Sequence, residues 1–189
     1  SCLNLLAIFA PNLKVFNFVW RKVEEILSIE DQKRILRMES FYQRTALHDI
    51  CLNESKEPFK IVKSLLEIVS ELFKKEEEFE IFLKKENENY RNVFHLAALQ
   101  SSHSVVELSF CKFDKNLREI LLLKDEFNHN CLQISAHNEK DEKVFRFMFE
   151  IYEKIFPDMK KIIFEEKDIA NRNLIHILFC SSSISNIKF

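Results

Sequence analysis

Two histidine–cysteine pairs are the residues of this chain whose types and spacing come nearest to chemistry. His48 and Cys51 stand three residues apart and His176 and Cys180 four, so on a helix each pair would put two soft donors on one face. Zinc takes four ligands, or three and a water, and no further pair lies at a suitable distance, so no metal site is expected. The same pairs hold the atoms of a thiol nucleophile and its base. A working thiolate needs a lowered pKa and an oxyanion hole, and nothing in the sequence marks either. Acidic clusters at Glu76-Glu77-Glu78 and Glu86-Asn87-Glu88 could supply paired carboxylates, but they alternate with lysines, as a solvated helix face does. The chain is therefore expected to be noncatalytic and without a cofactor, with a thiol enzyme or effector acting through Cys51 or Cys180 as an alternative.

Composition narrows the partners. The 189 residues are 47% hydrophobic and 31% charged, enough apolar material for one compact domain or one stretch of solenoid. A net charge of −2 gives no general attraction to nucleic acid or to an anionic membrane. Glycine is absent, where average usage of about 7% would give roughly 13. Phosphate-cradling loops and dinucleotide fingerprints need glycine because a side chain would hold the backbone away from the phosphate, so both are excluded. Five cysteines, an odd number without a CxxC pair, suit free thiols in a reducing compartment; the expected location is the cytoplasm, with the nucleus as an alternative. No apolar run approaches the ~18 residues of a membrane-spanning helix. Nineteen phenylalanines recur within the apolar stripes and are expected to be mostly core.

The elements that must position these residues repeat. Ser1-Cys2-Leu3-Asn4, Thr45-Ala46-Leu47-His48, Asn92-Val93-Phe94-His95, Asn130-Cys131-Leu132-Gln133 and Asn173-Leu174-Ile175-His176 share one pattern, and their last residues are spaced by 44, 47, 38 and 43. Periods of about 20 to 50 residues mark stacked supersecondary units. Other columns keep step with these anchors. Three residues past the anchor come the small Ala7, Cys51, Ala98 and Ala136, broken by Phe179; eleven past it come Val15, Phe59, Val106 and Val144. An apolar pair precedes each later signature: Ile35-Leu36, Phe82-Leu83, Ile120-Leu121 and Ile163-Phe164. Phe59, Val62, Leu65, Leu66, Val69, Leu72 and Phe73 follow Pro58 along one helical face, and Val144, Phe145, Met148, Phe149, Tyr152, Ile155 and Phe156 do so until Pro157. Each unit reads as a short signature helix, a longer second helix and a short third helix carrying the apolar pair.

The signature resembles that of the ankyrin repeat family, an aspartate and a turn glycine followed by Thr-x-Leu-His-x-Ala. Thr45, Leu47 and His48, then Phe94, His95 and Ala98, match it best; Leu132, Gln133 and Ala136, then Ile175 and His176, fill the same places. Asp125 and Asp168 stand at the aspartate. Asn128 and Asn171 replace the glycine, and Asn tolerates the left-handed conformation best after Gly. Gln43 and Tyr90 hold that place in two other units, where the turn must differ or be strained. The units exceed the family's usual length of about 33 residues. The resemblance implies an all-α fold, a helical repeat solenoid of about four ankyrin-like units, each with a lengthened second helix and an extra short helix. Residues 1–189 are expected to form a single array, a fragment of a longer protein, with units at approximately 1–39, 40–86, 87–124, 125–167 and a partial 168–189.

The resemblance further implies that His48, His95 and His176 hydrogen-bond the backbone of adjacent turns. It implies a noncatalytic protein–protein interaction scaffold that binds its partner through the turn tips and the first-helix face. Arg44, Arg91, His129 and Arg172 form one column just before the signature, which the resemblance places near those tips. Such cations could grip carboxylates or phosphates through bidentate hydrogen bonds, so a protein partner with an acidic or phosphorylated segment is expected, helped by Phe41, Tyr42 and Phe127. The alternative is that each cation pairs with an acid of an adjacent turn, such as Glu39, Glu88 or Asp168, in an exposed ion pair worth about 0–1 kcal/mol. A second functional alternative is the cytosolic array of a larger membrane protein, such as an ion channel, serving assembly or gating.

Overall fold

The computed structural model describes residues 2–53, 57–74, 84–100, 117–138 and 143–180, and every regular element among them is helical. The chain forms two compact units, Ser1–Glu88 and Asn89–Phe189.

The first unit holds α1 (Cys2–Phe9), α2 (Leu13–Ile26), α3 (Ile29–Arg37), α4 (Ala46–Ile50) and α5 (Pro58–Leu72). Local chemistry sets their ends. The Asn12 side chain accepts from Val15 N at 3.1 Å and so caps α2. Ser28 caps α3 through Asp31 N at 3.2 Å, with Glu30 and Asp31 in the first turn and Arg34 and Arg37 in the last, the charge order that complements the helix dipole. Pro58 opens α5, where its missing N–H would have had no partner anyway. α1 lies against α4, while α2, α3 and α4 all pack on α5. Phe16, Trp20, Leu36, Leu47, Ile61 and Leu65 fill the core, each aliphatic side chain contributing about 1.5–3 kcal/mol by leaving water.

The second unit holds α6 (Val93–Gln100), α7 (Leu117–Leu122), α8 (Cys131–Ser135), α9 (Lys143–Ile155), a π-helical turn at Lys161–Glu165 and α10 (Leu174–Cys180). α8 packs on α6, α7 and α9, and the π-helical turn packs on α10. Tyr152 is the largest buried side chain here. Its hydroxyl donates to Leu121 O at 2.5 Å and accepts from Leu132 N at 3.3 Å, so the ring is buried without stranding its polar end.

The small residues Ala7, Cys51, Ala98 and Ala136 are all buried, and Phe179 is exposed. Three expectations need correction. Phe59 is exposed, and Ile61 takes a core place in α5 instead. At the fourth apolar pair Phe164 is exposed and Ile162 is buried. There the chain closes a wide turn, with Glu166 N bonded to Lys161 O at 3.0 Å, and the extra residue per turn rotates the buried position back by one. Among the described phenylalanines, Phe16, Phe73, Phe94 and Phe156 are buried, whereas Phe9, Phe18, Phe41, Phe59, Phe127, Phe164 and Phe179 are exposed. Helices that touch through alanine and cysteine leave little interior volume for rings, so most of these rings stand outside. Phe82-Leu83, Val106, Cys111 and the Glu76-Glu77-Glu78 cluster lie outside the described residues.

Candidate functional site

Four tight turns precede the signature helices, and each contains a residue in the left-handed region: Gln43 (φ 54°), Tyr90 (57°), Asn128 (62°) and Asn171 (62°). These are the positions where the ankyrin signature has glycine. Three turns share one hydrogen-bond pattern. Ser40 N donates to Arg44 O at 2.8 Å and Gln43 N to Ser40 O at 3.0 Å; the same bonds close Asp125–His129 at 3.0 and 2.9 Å, and Asp168–Arg172 at 3.0 and 3.0 Å. Left-handed geometry costs a residue with a Cβ roughly 1–2 kcal/mol, least for Asn, so Gln43 and Tyr90 carry the larger strain.

Neighbouring turns are tied at one register. In the first unit Tyr42 O accepts from Glu88 N at 3.3 Å; in the second, Asn89 O accepts from Glu126 N and Phe127 O from Ile169 N, both at 3.0 Å. The signature side chains add a second tie. Thr45 N donates to His48 Nδ1 at 3.2 Å, which leaves the ring proton on Nε2, 2.9 Å from Lys85 O. His95 does the same between Asn92 N at 3.2 Å and Leu123 O at 3.0 Å. Gln133 reproduces both bonds with an amide, accepting from Asn130 N at 3.0 Å and donating to Glu166 O at 3.2 Å. His176 is exposed and meets Asn173 Oδ1 at 2.5 Å instead. Burial pushes His95 down to about 4, so its ring is neutral near pH 7.

His48 and Cys51 are engaged in hydrogen bonds to the backbone, whereas His176 and Cys180 are both exposed. Both ring nitrogens of His48 face backbone, and the Cys51 thiol donates to Leu47 O at 3.7 Å. Cys131 is buried, which pushes its thiol up, away from the reactive thiolate. Among the described residues no three or more His, Cys, Asp or Glu converge as a metal site would require. Thr45, Leu47, Phe94, Ala98, Leu132 and Ala136 are buried as well, while Ile175 is half-buried.

The cationic column meets buried aspartates. Arg91 Nε and Nη2 lie 3.0 and 2.8 Å from Asp125 Oδ2, and Arg172 Nε lies 2.7 Å from Asp168 Oδ2. His129 stands between them, 3.3 Å from Asp168 Oδ2 and 3.7 Å from Asp125 Oδ1. Arg44 Nε is 2.8 Å from Asp49 Oδ1, an ion pair by distance whose N–H is not aimed for a hydrogen bond. Of the acids named from sequence, Asp168 is one of these partners, whereas Glu39 pairs with Lys85 at 2.9 Å. Burial by itself would raise Asp125, but hydrogen bonds from His129 and Arg91 overcome it and hold the carboxyl at about 2. Burial raises Asp49 despite Asn4 and Arg44.

These turns offer solvent aromatic side chains beside the polar Gln43, Glu88, Glu126, Asn128 and Asn171. Phe41 is 90% exposed and meets Tyr42 edge to face at 5.4 Å; Tyr42, Tyr90, Phe127 and Ile169 are exposed too. The Arg44 guanidinium lies 4.8 Å from the Tyr42 ring and that of Arg91 5.8 Å from the Phe127 ring, so each arginine props an aromatic while facing a carboxylate. Sequence reasoning missed Asp49, which joins Arg44 to Asn4 at 2.7 Å. It also missed Asn53 and Asn138, which bond Ala7 O at 2.7 Å and Ala98 O at 2.9 Å. A column five residues past the anchor would have found both asparagines.

No family model and no curated protein matches the chain. A chain in the crystal structure of the yeast ribosomal protein Rps3 in complex with its chaperone Yar1 is similar, with a TM-score of 0.59 and 22% identity over 80% of this chain and 91% of that one. At that identity the likeness is one of fold.

Proposed function

We propose that this chain is a noncatalytic protein-binding scaffold, an ankyrin-like all-α repeat solenoid whose turn tips capture a protein partner in the cytoplasm. The observation that carries the reading is the tip itself, where Phe41, Tyr42, Tyr90 and Phe127 stand exposed on turns whose backbone is hydrogen-bonded. Large aromatic side chains held on a rigid frame are what binding hot spots are made of, because little conformational entropy is lost on docking. The likeness to a chain from a complex of a ribosomal protein with its chaperone supports a role in protein association. The guanidinium groups already face Asp49, Asp125 and Asp168, so aromatic contact leads and a carboxylate or phosphate of the partner is secondary.

Alanine at Phe41, Tyr42 and Phe127 together tests this. The melting temperature should hold, and proteins retained by the immobilised native chain should fall at least tenfold, about 1.4 kcal/mol or more. Equal retention by the triple variant would falsify the tip as the binding surface. Arg44, Arg91 and Arg172 to Ala should instead lower stability.

A further inference from the structure

We infer that His129 and His137 form an acid-sensitive joint between two turns of the second unit, Asp125–His129 and Asp168–Arg172, which regulates the Phe127 tip. The turns meet through a side chain and through the backbone. The His129 ring lies between their aspartates, with Nε2 3.3 Å from Asp168 Oδ2 and Nδ1 3.7 Å from Asp125 Oδ1. Beside it Phe127 O accepts from Ile169 N at 3.0 Å. The half-buried His137 ring stands 5.6 Å from that of His129, centroid to centroid. Its backbone is held just past α8, where His137 N donates to Ile134 O at 2.9 Å and Asn138 reaches Ala98 O at 2.9 Å.

Charge makes this pair sensitive to acid. Among the described residues the charged groups facing the two rings are Arg91 from the preceding turn, Asp125 from the turn of His129, and Asp168 and Arg172 from the following one. Each aspartate is already matched by an arginine. Burial by itself would raise Asp168, but hydrogen bonds from Arg172 and His129 hold it below the ordinary carboxylate value, and Asp125 is held at about 2. Both aspartates therefore stay charged above about pH 5. A proton on His137 adds a positive charge that no free carboxylate of the cluster can meet, beside a second imidazole and two guanidiniums. Burial, and then His129, Arg172 and Arg91, push the His137 ring below its ordinary value. The closed joint keeps that ring neutral and the open joint takes up the proton. Its contribution is full above about pH 6.5 and is lost as pH falls from there.

Phe127 stands on this joint. Its ring is 6.1 Å from that of His129, and its carbonyl is the acceptor of the backbone tie. Opening removes both neighbours of an exposed aromatic at the tip. The consequence for capture rests on the tip function proposed above, whereas the joint itself does not. The tie one turn earlier serves as a control, since Glu126 N donates to Asn89 O at 3.0 Å with Arg91 and Asp125, and no histidine, joining the turns.

Native-state amide exchange of the 189-residue chain, corrected for the intrinsic rate, tests the joint. From about pH 7.5 to about pH 5.5 the protection of Ile169 N–H should fall by up to about tenfold, the factor by which a proton taken up only in the open state favours opening one unit below its ordinary pKa. Glu126 N–H should hold within about twofold. His137→Phe keeps a ring beside His129 and His137→Gln keeps a polar side chain; neither takes up a proton, so each should abolish the fall. Proteins retained by the immobilised native chain should decline in parallel at the lower pH, and not with either variant. Unchanged Ile169 protection, an equal fall in both variants or an equal fall at Glu126 overturns the inference. Capture that does not follow Ile169 overturns the regulation of the tip. If the aromatic tip variant retains as much protein as the native chain, the binding proposal falls while Ile169 exchange still decides the joint.

Discussion

The turns Ser40–Arg44 and Asp125–His129 have the same backbone and different chemistry. In the second, Asp125 Oδ1 accepts from Phe127 N at 3.0 Å and from His129 N at 2.8 Å, while Oδ2 holds Arg91. One carboxylate thus closes its own turn and ties it to a neighbour. In the first, the buried Ser40 hydroxyl has no partner, and the carboxylate that meets Arg44 comes from Asp49 on α4. Gln43 then takes the left-handed place that Asn128 occupies more cheaply. The backbone needs only the two main-chain bonds to form; the aspartate supplies stability rather than shape.

That contrast breaks most readily at Asp125. Asp125→Ala strands two backbone donors and a partly buried arginine, and should cost about 3–5 kcal/mol in urea unfolding. Ser40→Ala lies at the other extreme, within about 0.5 kcal/mol. Equal costs at the two positions would show that the carboxylate is not what distinguishes the turns.

His95 and Gln133 sharpen the comparison, since one set of bonds is made by a titrating group and by a neutral amide. The folded pKa of His95, about 4, lies below the unfolded value of about 6.5, so the unfolded chain takes up the proton first. Stability from the neutral ring is full above about pH 6.5 and is lost as pH falls from there through about 4, by roughly 3 kcal/mol at most. Asp125, held at about 2 against about 3.9 unfolded, contributes fully above about pH 3.9 and loses that contribution as pH falls toward 2. His95→Gln should remove the upper step and keep the lower one. Unfolding free energies measured from about pH 7 to about pH 2 would separate them, and an unchanged upper step would assign it elsewhere.

A smaller effect is expected at the left-handed positions. Tyr90→Gly should stabilise the fold by about 1 kcal/mol, and Asn128→Gly should change it by a few tenths, because Asn already tolerates that geometry. Thermal unfolding of the two variants orders them; a destabilised Tyr90→Gly would mean that the ring packs more than its exposure indicates.

Much of the local structure was legible. The signature anchors located Thr45, Asn92 and Asn130 at helix starts, and the glycine register located all four left-handed residues, including Gln43 and Tyr90. Phenylalanine burial was not legible, because hydrophobicity says that a ring can be buried but not whether there is room for it. The partners of the cationic column were only partly legible. Asp168 could be named from sequence, whereas Asp49 lies in a helix position that is aliphatic in α6 and α8, as Leu96 and Ile134.

The sequence alone determined where the signature helices begin and which residue must turn the chain, since capping, periodicity and backbone sterics act within a few residues. Only the tertiary structure decided that Arg91 faces Asp125, that His95 is neutral and that Phe41 and Phe9 stand in solvent. Those outcomes depend on burial and on partners tens of residues away, and no local pattern carries that information.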